Sequence, residues 1–138
     1  MILGLILLSS FKPSKFDVRC TGIEGNGVIQ LMMVNNQLGP KYKTELAKRD
    51  AVYAVLYSGA DGCGRVNPLL NNSETIEKFK KIEKSFFSKK GQWSKYTRQS
   101  TTPNKVGAVG QHLITVDLPL LRRDLENLKI IKSLTDGF

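Results

Sequence analysis

The segment from Lys41 to Gly59 constrains the fold most strongly, because its residues have the pattern of a helix that is covered on more than one side. From Ala51 to Tyr57 the sequence is continuously apolar, AVYAVLY, which an amphipathic surface helix would not show. Small and aliphatic side chains recur every three or four positions and so share one face: Leu46, Ala47, Ala51, Ala54 and Val55. Alanine on that face would let the helix lie close against a sheet.

Turn residues mark both ends of this segment. Pro40 follows Gly39 and suits the first position of a helix, while Gly59 can supply the left-handed residue that ends one. The alternative is a buried strand from Val52 to Tyr57, where β-branched and aromatic residues dominate. The unbroken alanine spacing favours the helix.

A β-hairpin is predicted before this helix. Phe16 to Thr21 alternates apolar and polar residues, and Val28 to Val34 is a second, more apolar strand. The cluster between them contains Asn26 and Gly27, a dipeptide that is typical of tight hairpin turns.

A loop and a second helix are predicted after it. Ala60 to Asn72 is rich in turn residues, and Ser73 is predicted to cap the next helix. The apolar stripe of that helix is Ile76, Phe79, Ile82, Phe86 and Phe87. Trp93 to Arg98 is predicted to form a short strand.

The last third of the chain predicts one more strand and a final helix. The strand runs from Val106 to Val116, with Val106, Ala108, Gly110, His112, Ile114 and Val116 on one face. Asp117 is predicted to cap the helix, and its apolar stripe is Leu118, Leu121, Leu125 and Leu128. Ile130, Ile131 and Leu134 are predicted to pack the tail.

This order of elements, β-β-α-α-β-β-α, predicts an α+β fold. We expect one domain over residues 11–138, an antiparallel sheet packed on one face by two to three helices. A chain of 138 residues can bury about two thirds of its unfolded surface.

Residues 1–10 predict the remnant of a signal peptide. Met1 to Leu8 reads MILGLILL and is followed by small residues, as in the apolar region of secretory signals. No Lys or Arg precedes the run, and a buried first strand is the alternative. The run is too short to span a bilayer, so no transmembrane span is expected. Export would place the protein in the periplasm of a Gram-negative bacterium or outside the cell.

Cys20 and Cys63 are the two cysteines of the chain. In an oxidising compartment these two cysteines could form a disulfide. A bridge would close a loop of about 44 residues and stabilise the fold by roughly 4 kcal/mol. Two free buried thiols are the alternative. Two cysteines and one histidine do not supply a metal site at useful spacing, so we expect neither a metal nor another cofactor.

No catalytic group stands out in the sequence. His112 is the only histidine, and its place on an apolar strand face favours a hydrogen-bonded histidine near the core over a general base. The loop from Asp61 to Gly64 lacks the lysine and hydroxyl residue of a phosphate-binding loop. Paired-carboxylate catalysis is disfavoured for Asp117, Asp124 and Glu126. Asp117 suits a helix cap, and the other two can pair with neighbouring Arg or Lys residues. We therefore predict a protein that is not an enzyme, with a small hydrolase using His112 as the weakest hypothesis.

Positive charge is the strongest signal in the composition. The formal net charge is +9, and Lys78 to Arg98 holds eight basic residues against one acid, Glu83. The predicted anion-binding residues are Lys78, Lys80, Lys81, Lys84, Lys89, Lys90, Lys95 and Arg98. Interleaved aromatic residues would allow base stacking, although Phe86 and Phe87 also continue an apolar stripe.

Two segments resemble a set of small, uncharacterised exported proteins of Bacteroidota. Ala47 to Gly59 fits the pattern A-x-x-x-A-V-x-x-V-L-[FY]-x-G, and Leu120 to Phe138 fits L-L-R-[RK]-[DE]-L-E-x-x-x-I-I-[RK]-x-L-x-x-G-F. The resemblance covers most of the chain from Phe16 onward and implies export without implying an activity. More distantly, the helix after a hairpin is similar to the N-terminal envelope domain of flagellar assembly protein T and related lipoproteins. That likeness implies protein partners and no catalysis.

The first functional hypothesis is therefore a non-catalytic exported or envelope domain that binds a protein partner or the envelope surface. The alternative is a basic nucleic-acid-binding module in the cytoplasm.

Overall fold

The computed structural model describes residues 15–99 and 109–133, and in these ranges four antiparallel strands form one sheet. The strands are β1 (Asp17–Ile23), β2 (Ile29–Val34), β3 (Thr97–Gln99) and β4 (Gln111–Val116). They lie side by side in the order β1-β2-β4-β3. Three helices accompany the sheet: α1 (Thr44–Tyr53), α2 (Ser73–Phe86) and α3 (Leu118–Asn127). The predicted α+β class is confirmed.

β1 and β2 form the predicted hairpin. Ile23 pairs with Ile29 across the turn, and Asp17 pairs with Val34 at the open end. A bulge interrupts the register between Cys20 and Gly22. Alternate residues of β2 are buried, which explains why its sequence is more apolar than that of β1.

The central helix is confirmed, and the alternative of a strand over Val52 to Tyr57 is wrong. α1 continues into one π-helical turn, Ala54–Ser58, and the chain leaves it at Gly59 with φ of 72°. A Cβ at position 59 would lie 2.1 Å from the carbonyl oxygen of Val66, so both φ and space require glycine there.

The start of the helix was predicted too early. Gly39–Lys41 forms a separate 3-10 turn, so Pro40 begins that turn and not the helix. Lys43 is extended, with φ −86° and ψ 158°, and α1 begins after it.

Alanine brings α1 close to the sheet, as expected. Ala47, Ala51, Ala54 and Val55 are all fully buried, and α1 contacts β2, β3 and β4. Leu46 is half-buried at the margin of this face.

α2 is capped by Asn72, so the prediction that Ser73 is the cap is wrong by one residue. Oδ1 of Asn72 accepts a hydrogen bond of 2.9 Å from the backbone N–H of Thr75. In return, the N–H of Asn72 donates to the hydroxyl of Thr75 at 3.3 Å. Asn72 and Thr75 thus form a reciprocal capping box, and Ser73 is the first residue of the helix.

The strand predicted from Trp93 to Arg98 is mostly a 3-10 turn, Gln92–Tyr96, and β3 follows it. In a 3-10 turn residues three apart lie on the same side. Trp93 and Tyr96 have this spacing, and both are buried in the core. Burial of two large aromatic rings therefore overrides the extended pattern.

The last strand is shorter than predicted within the described residues. Gly110 lies in a turn with φ of 81°, and β4 begins after it; residues 106–108 lie outside the described ranges. His112, Ile114 and Val116 share one face, because alternate residues of a strand point to the same side. Their partners across the pair are Met33, Leu31 and Ile29. Asp117 caps α3 as predicted, accepting from the N–H of Leu120 at 3.1 Å.

One connected core joins the sheet to the helices. Leu121 and Leu125 of α3, Ile130 and Ile131 are buried in it, whereas Leu128 is 54% exposed. The prediction that Leu128 belongs to the buried stripe is therefore wrong. Leu134 and the apolar N-terminal run lie outside the described residues. No helix in those residues is long and apolar enough to cross a membrane.

Candidate functional site

Cys20 and Cys63 form a disulfide, with Cα atoms 5.6 Å apart. It fastens the loop after Gly59 to the outer edge of β1, where the N–H of Cys20 also donates to the carbonyl of Asp61 at 2.7 Å. Gly62 has φ of 91°, and a Cβ there would lie 2.2 Å from the carbonyl oxygen of Cys20. The glycine thus permits the close approach that the bridge needs. Both sulfurs are bonded, so neither is a thiol nucleophile.

His112 is held by neighbouring polar groups. Its Nε2 lies 2.5 Å from the carbonyl oxygen of Tyr42, and because that oxygen only accepts, Nε2–H is the donor. Nδ1 lies 3.4 Å from the hydroxyl of Thr44. The rings of Tyr42 and His112 also form a T-shaped pair, with centroids 5.5 Å apart. These contacts connect β4 to the beginning of α1 and favour a structural role for the histidine.

The carboxylates near α3 also have local partners. Asp124 accepts 2.7 Å from the hydroxyl of Tyr96 and pairs with Lys95 at 3.0 Å. The hydrogen bond from Tyr96, followed by the contact with Lys95, lowers the pKa of Asp124. Glu126 lies 3.9 Å from Arg122, and Asp117 is the helix cap. In the described ranges no three His, Cys, Asp or Glu side chains form a group that could hold a metal ion.

The eight predicted anion-binding residues are all exposed, but the aromatic residues between them are not. Phe86, Phe87, Trp93 and Tyr96 are buried, and the guanidinium of Arg49 lies over the ring of Trp93 at 5.1 Å. Bases therefore have no exposed aromatic platform in this part of the chain. The prediction that Phe86 and Phe87 continue the buried apolar stripe of α2 is confirmed.

A groove runs between α2 and the turn that follows α3. It consists of three adjoining cavities with volumes of about 410, 310 and 320 Å³. The first and second share Lys78, Lys129 and Ile130, and the second and third share Ile82 and Leu128. We call this surface the α2–α3 groove and define it by those five residues.

The floor of the α2–α3 groove is apolar because of how α3 ends. Leu128 closes the helix, and Lys129 then adopts φ of 63°, which turns the chain back. The N–H of Ile130 donates to the carbonyl of Leu125 at 2.9 Å and holds this turn. Ile130 then packs into the core, while Leu128 is left in the groove beside half-buried Ile82.

The rim of the groove is basic. The linings of the three cavities include six cations and one acid: Lys78, Lys81, Lys90, Arg122, Lys129, Lys132 and Glu74. Glu74 pairs with Lys78 at 3.2 Å, and Arg122 pairs with Glu126. Within residues 15–99 and 109–133, the other four cations form no ion pair. Their field is therefore available to an external anion.

Sequence reasoning found part of this rim. Lys78, Lys81 and Lys90 were among the predicted residues, whereas Arg122, Lys129 and Lys132 were not. The remaining predicted residues do not line the groove: Lys80, Lys84, Lys89, Lys95 and Arg98. The missing signal is spatial, because the turn after α3 brings a second set of lysines to α2.

A further cavity of about 600 Å³ lies beside the start of α1 and shares Lys90 with the third cavity of the groove. Lys48, Lys89 and Lys90 line it together with Trp93. Trp93 is only 3% exposed and no aliphatic side chain among the described residues lines this cavity, so it offers charge without an exposed hydrophobic side chain. The α2–α3 groove combines both and is the better candidate site.

Comparisons with protein-family models, with curated proteins and with solved structures found no match.

Proposed function

We propose that this protein is a non-catalytic, exported domain that binds an acidic protein partner through the α2–α3 groove. One observation carries the proposal: an apolar floor with exposed Leu128 lies beneath a basic rim in which, among the described residues, only the cations Lys78 and Arg122 have an ion pair. Apolar anchors surrounded by complementary charge are what a protein interface requires.

The two parts of the groove would contribute differently to binding. Burial of exposed Leu128 and half-buried Ile82 by a partner would supply the favourable free energy, because it removes apolar surface from water. The lysine rim would accelerate association and select acidic partners, and its effect would weaken as salt screens the charges.

A protein partner is favoured over a nucleic acid by the aromatic residues. Single-stranded nucleic acids bind through basic grooves in which bases stack on exposed rings. The rings of Phe86, Phe87, Trp93 and Tyr96 are buried instead. The positive charge therefore supports the alternative of a cytoplasmic nucleic-acid-binding module, but the basic segment from Lys78 to Arg98 offers no exposed ring on which a base could stack.

The Cys20–Cys63 disulfide supports the exported location in this proposal, since disulfides persist in oxidising compartments. A periplasmic or secreted location is part of the proposed function. A partner would then be an envelope or extracellular protein.

Site-specific photo-crosslinking in the native cell tests the proposal. Leu128 is replaced by p-benzoylphenylalanine, and the matched control carries the same group at Val109, which is 64% exposed and lies outside the groove. We expect a discrete protein adduct at position 128, none at position 109, and its loss when Lys81→Glu and Lys129→Glu are added.

Two results would overturn the proposal. Equal adducts at both positions, or none at position 128, would show that the groove does not bind a protein. A nuclease-sensitive adduct at position 128 would instead establish the nucleic-acid alternative.

A further inference from the structure

From the shape and charge of the α2–α3 groove we infer that the segment it binds is an acidic amphipathic α-helix of about four turns. This inference rests on the proposed function and specifies the partner's chemistry and conformation at the same site.

The length of the groove sets the length of the ligand. The cavities extend from Asn72 at the beginning of α2 to Gly91 just after its end. α2 has 14 residues, which at 1.5 Å per residue is about 21 Å. A helix of similar length, lying along α2, would cover all three cavities.

The walls of the groove favour a helix over an extended peptide. A peptide that adds to a sheet needs a strand edge with free backbone donors and acceptors. The lining residues belong to α2, to α3, and to the segments that flank them, and none belongs to β1, β2, β3 or β4. Recognition must therefore come chiefly from side chains, as when an amphipathic helix lies in a groove.

The arrangement of charge specifies the pattern of the bound helix. Lys78 and Lys81 lie on the α2 side, and Lys129 and Lys132 lie on the opposite side. The apolar residues Ile82, Leu128 and Ile130 line the cavities between them. A matching helix would carry one apolar stripe at positions i, i+3 or i+4 and i+7, with carboxylates on both sides of it.

A membrane surface fits this site less well. The exposed large apolar residues of the described ranges are Ile23, Val109 and Leu128. They belong to β1, the turn before β4 and the turn after α3, so only Leu128 faces the groove. A single leucine in a concave site offers little apolar surface to a bilayer, whereas it fits between the side chains of a helix.

Three fluorescent 14-residue peptides test the inference with the oxidised full chain. The first has an apolar stripe flanked by glutamates, the second has the same composition in scrambled order, and the third has lysines in place of the glutamates. We expect the first to bind at least about tenfold more tightly than either of the others and to gain helical circular dichroism when bound. Leu128→Ala should weaken its binding by about tenfold, and the matched Val109→Ala should leave it unchanged.

The outcomes separate this inference from the proposed function. If the striped and scrambled acidic peptides bind equally, the helix inference is overturned, while an acidic partner remains supported by a crosslink at position 128. If neither peptide binds and that crosslink is also absent, both proposals fail. Tighter binding to phosphatidylglycerol vesicles than to the striped peptide, lost in Leu128→Ala, would assign the groove to the membrane and overturn both.

Discussion

The hydroxyl of Tyr42 donates a hydrogen bond of 2.9 Å to Oδ2 of Asp50, and both side chains are buried. Tyr42 precedes α1 and Asp50 lies within it, so the bond fixes the chain that enters the helix. The same tyrosine provides the carbonyl that binds His112. A buried carboxylate depends strongly on its donors, because loss of one leaves its charge less compensated.

We therefore predict that Tyr42→Phe destabilises the protein by about 1.5–3 kcal/mol. The ring and its contact with His112 are retained, so the loss reports the hydroxyl alone. Tyr57→Phe is the matched control, because Tyr57 donates 3.0 Å to Glu83 from a half-buried position and should cost less. Urea unfolding measures both variants, and equal midpoints for Tyr42→Phe and the native protein would contradict the prediction.

Alkaline pH should destabilise the protein through its buried tyrosines. Burial, and then the neighbouring carboxylate, raises the pKa of Tyr42 above its ordinary value of 10.0. Burial, and then a hydrogen bond to a carboxylate, raises the pKa of Tyr57 and that of Tyr96 in the same direction. Their contribution is complete below about pH 10 and is lost as the pH rises further, because the unfolded chain then releases protons that the folded chain retains.

The measurement is the urea midpoint between pH 8 and pH 11. Stability should fall above about pH 10, and Tyr42→Phe should show a shallower fall, since one retained proton is removed. An identical slope for the variant and the native protein would show that Tyr42 does not contribute.

The disulfide should contribute about 4 kcal/mol to the free energy of unfolding, since it joins residues 43 positions apart. Reductant should lower the urea midpoint of the native protein by this contribution. In the variant with Cys20→Ala and Cys63→Ala the midpoint should already be low and should not respond to reductant. If full reduction left the urea midpoint of the native protein unchanged, the predicted stabilisation by the disulfide would be contradicted.

The face of α1 that carries Ala51 is fully buried against the sheet. We predict that Ala51→Leu destabilises by about 1–3 kcal/mol, because the larger side chain overpacks this contact. Lys80→Leu, at an exposed position of α2, should change stability by less than about 0.5 kcal/mol. Thermal unfolding compares the two, and an unchanged melting temperature for Ala51→Leu would show that the helix can move away from the sheet.

Much of the fold was predictable, since periodicity and turn residues are local signals. These signals predict the hairpin, α1 with its alanine face and the Asp117 cap. They also predict that the sheet is antiparallel. The end of α3 was not predictable, because Lys129 takes a left-handed conformation that glycine or asparagine usually signals. Without that signal, the sequence pattern places Leu128 in the apolar stripe of α3, whereas in the folded protein Leu128 lines the groove. The groove itself depends on a long-range approach of α2 and the segment after α3, which no local pattern specifies.

The cap of α2 shows the same limit at the scale of one residue. Asn72 and Ser73 are both good capping residues, and only the reciprocal bonds with Thr75 distinguish them. We predict that Asn72→Ala destabilises by about 1 kcal/mol, because the N–H of Thr75 loses its acceptor. Ser73→Ala should change stability by less than about 0.5 kcal/mol, since Ser73 is exposed in the first turn. Urea unfolding of the two variants decides between the caps: a larger loss for Ser73→Ala would place the cap at Ser73 after all.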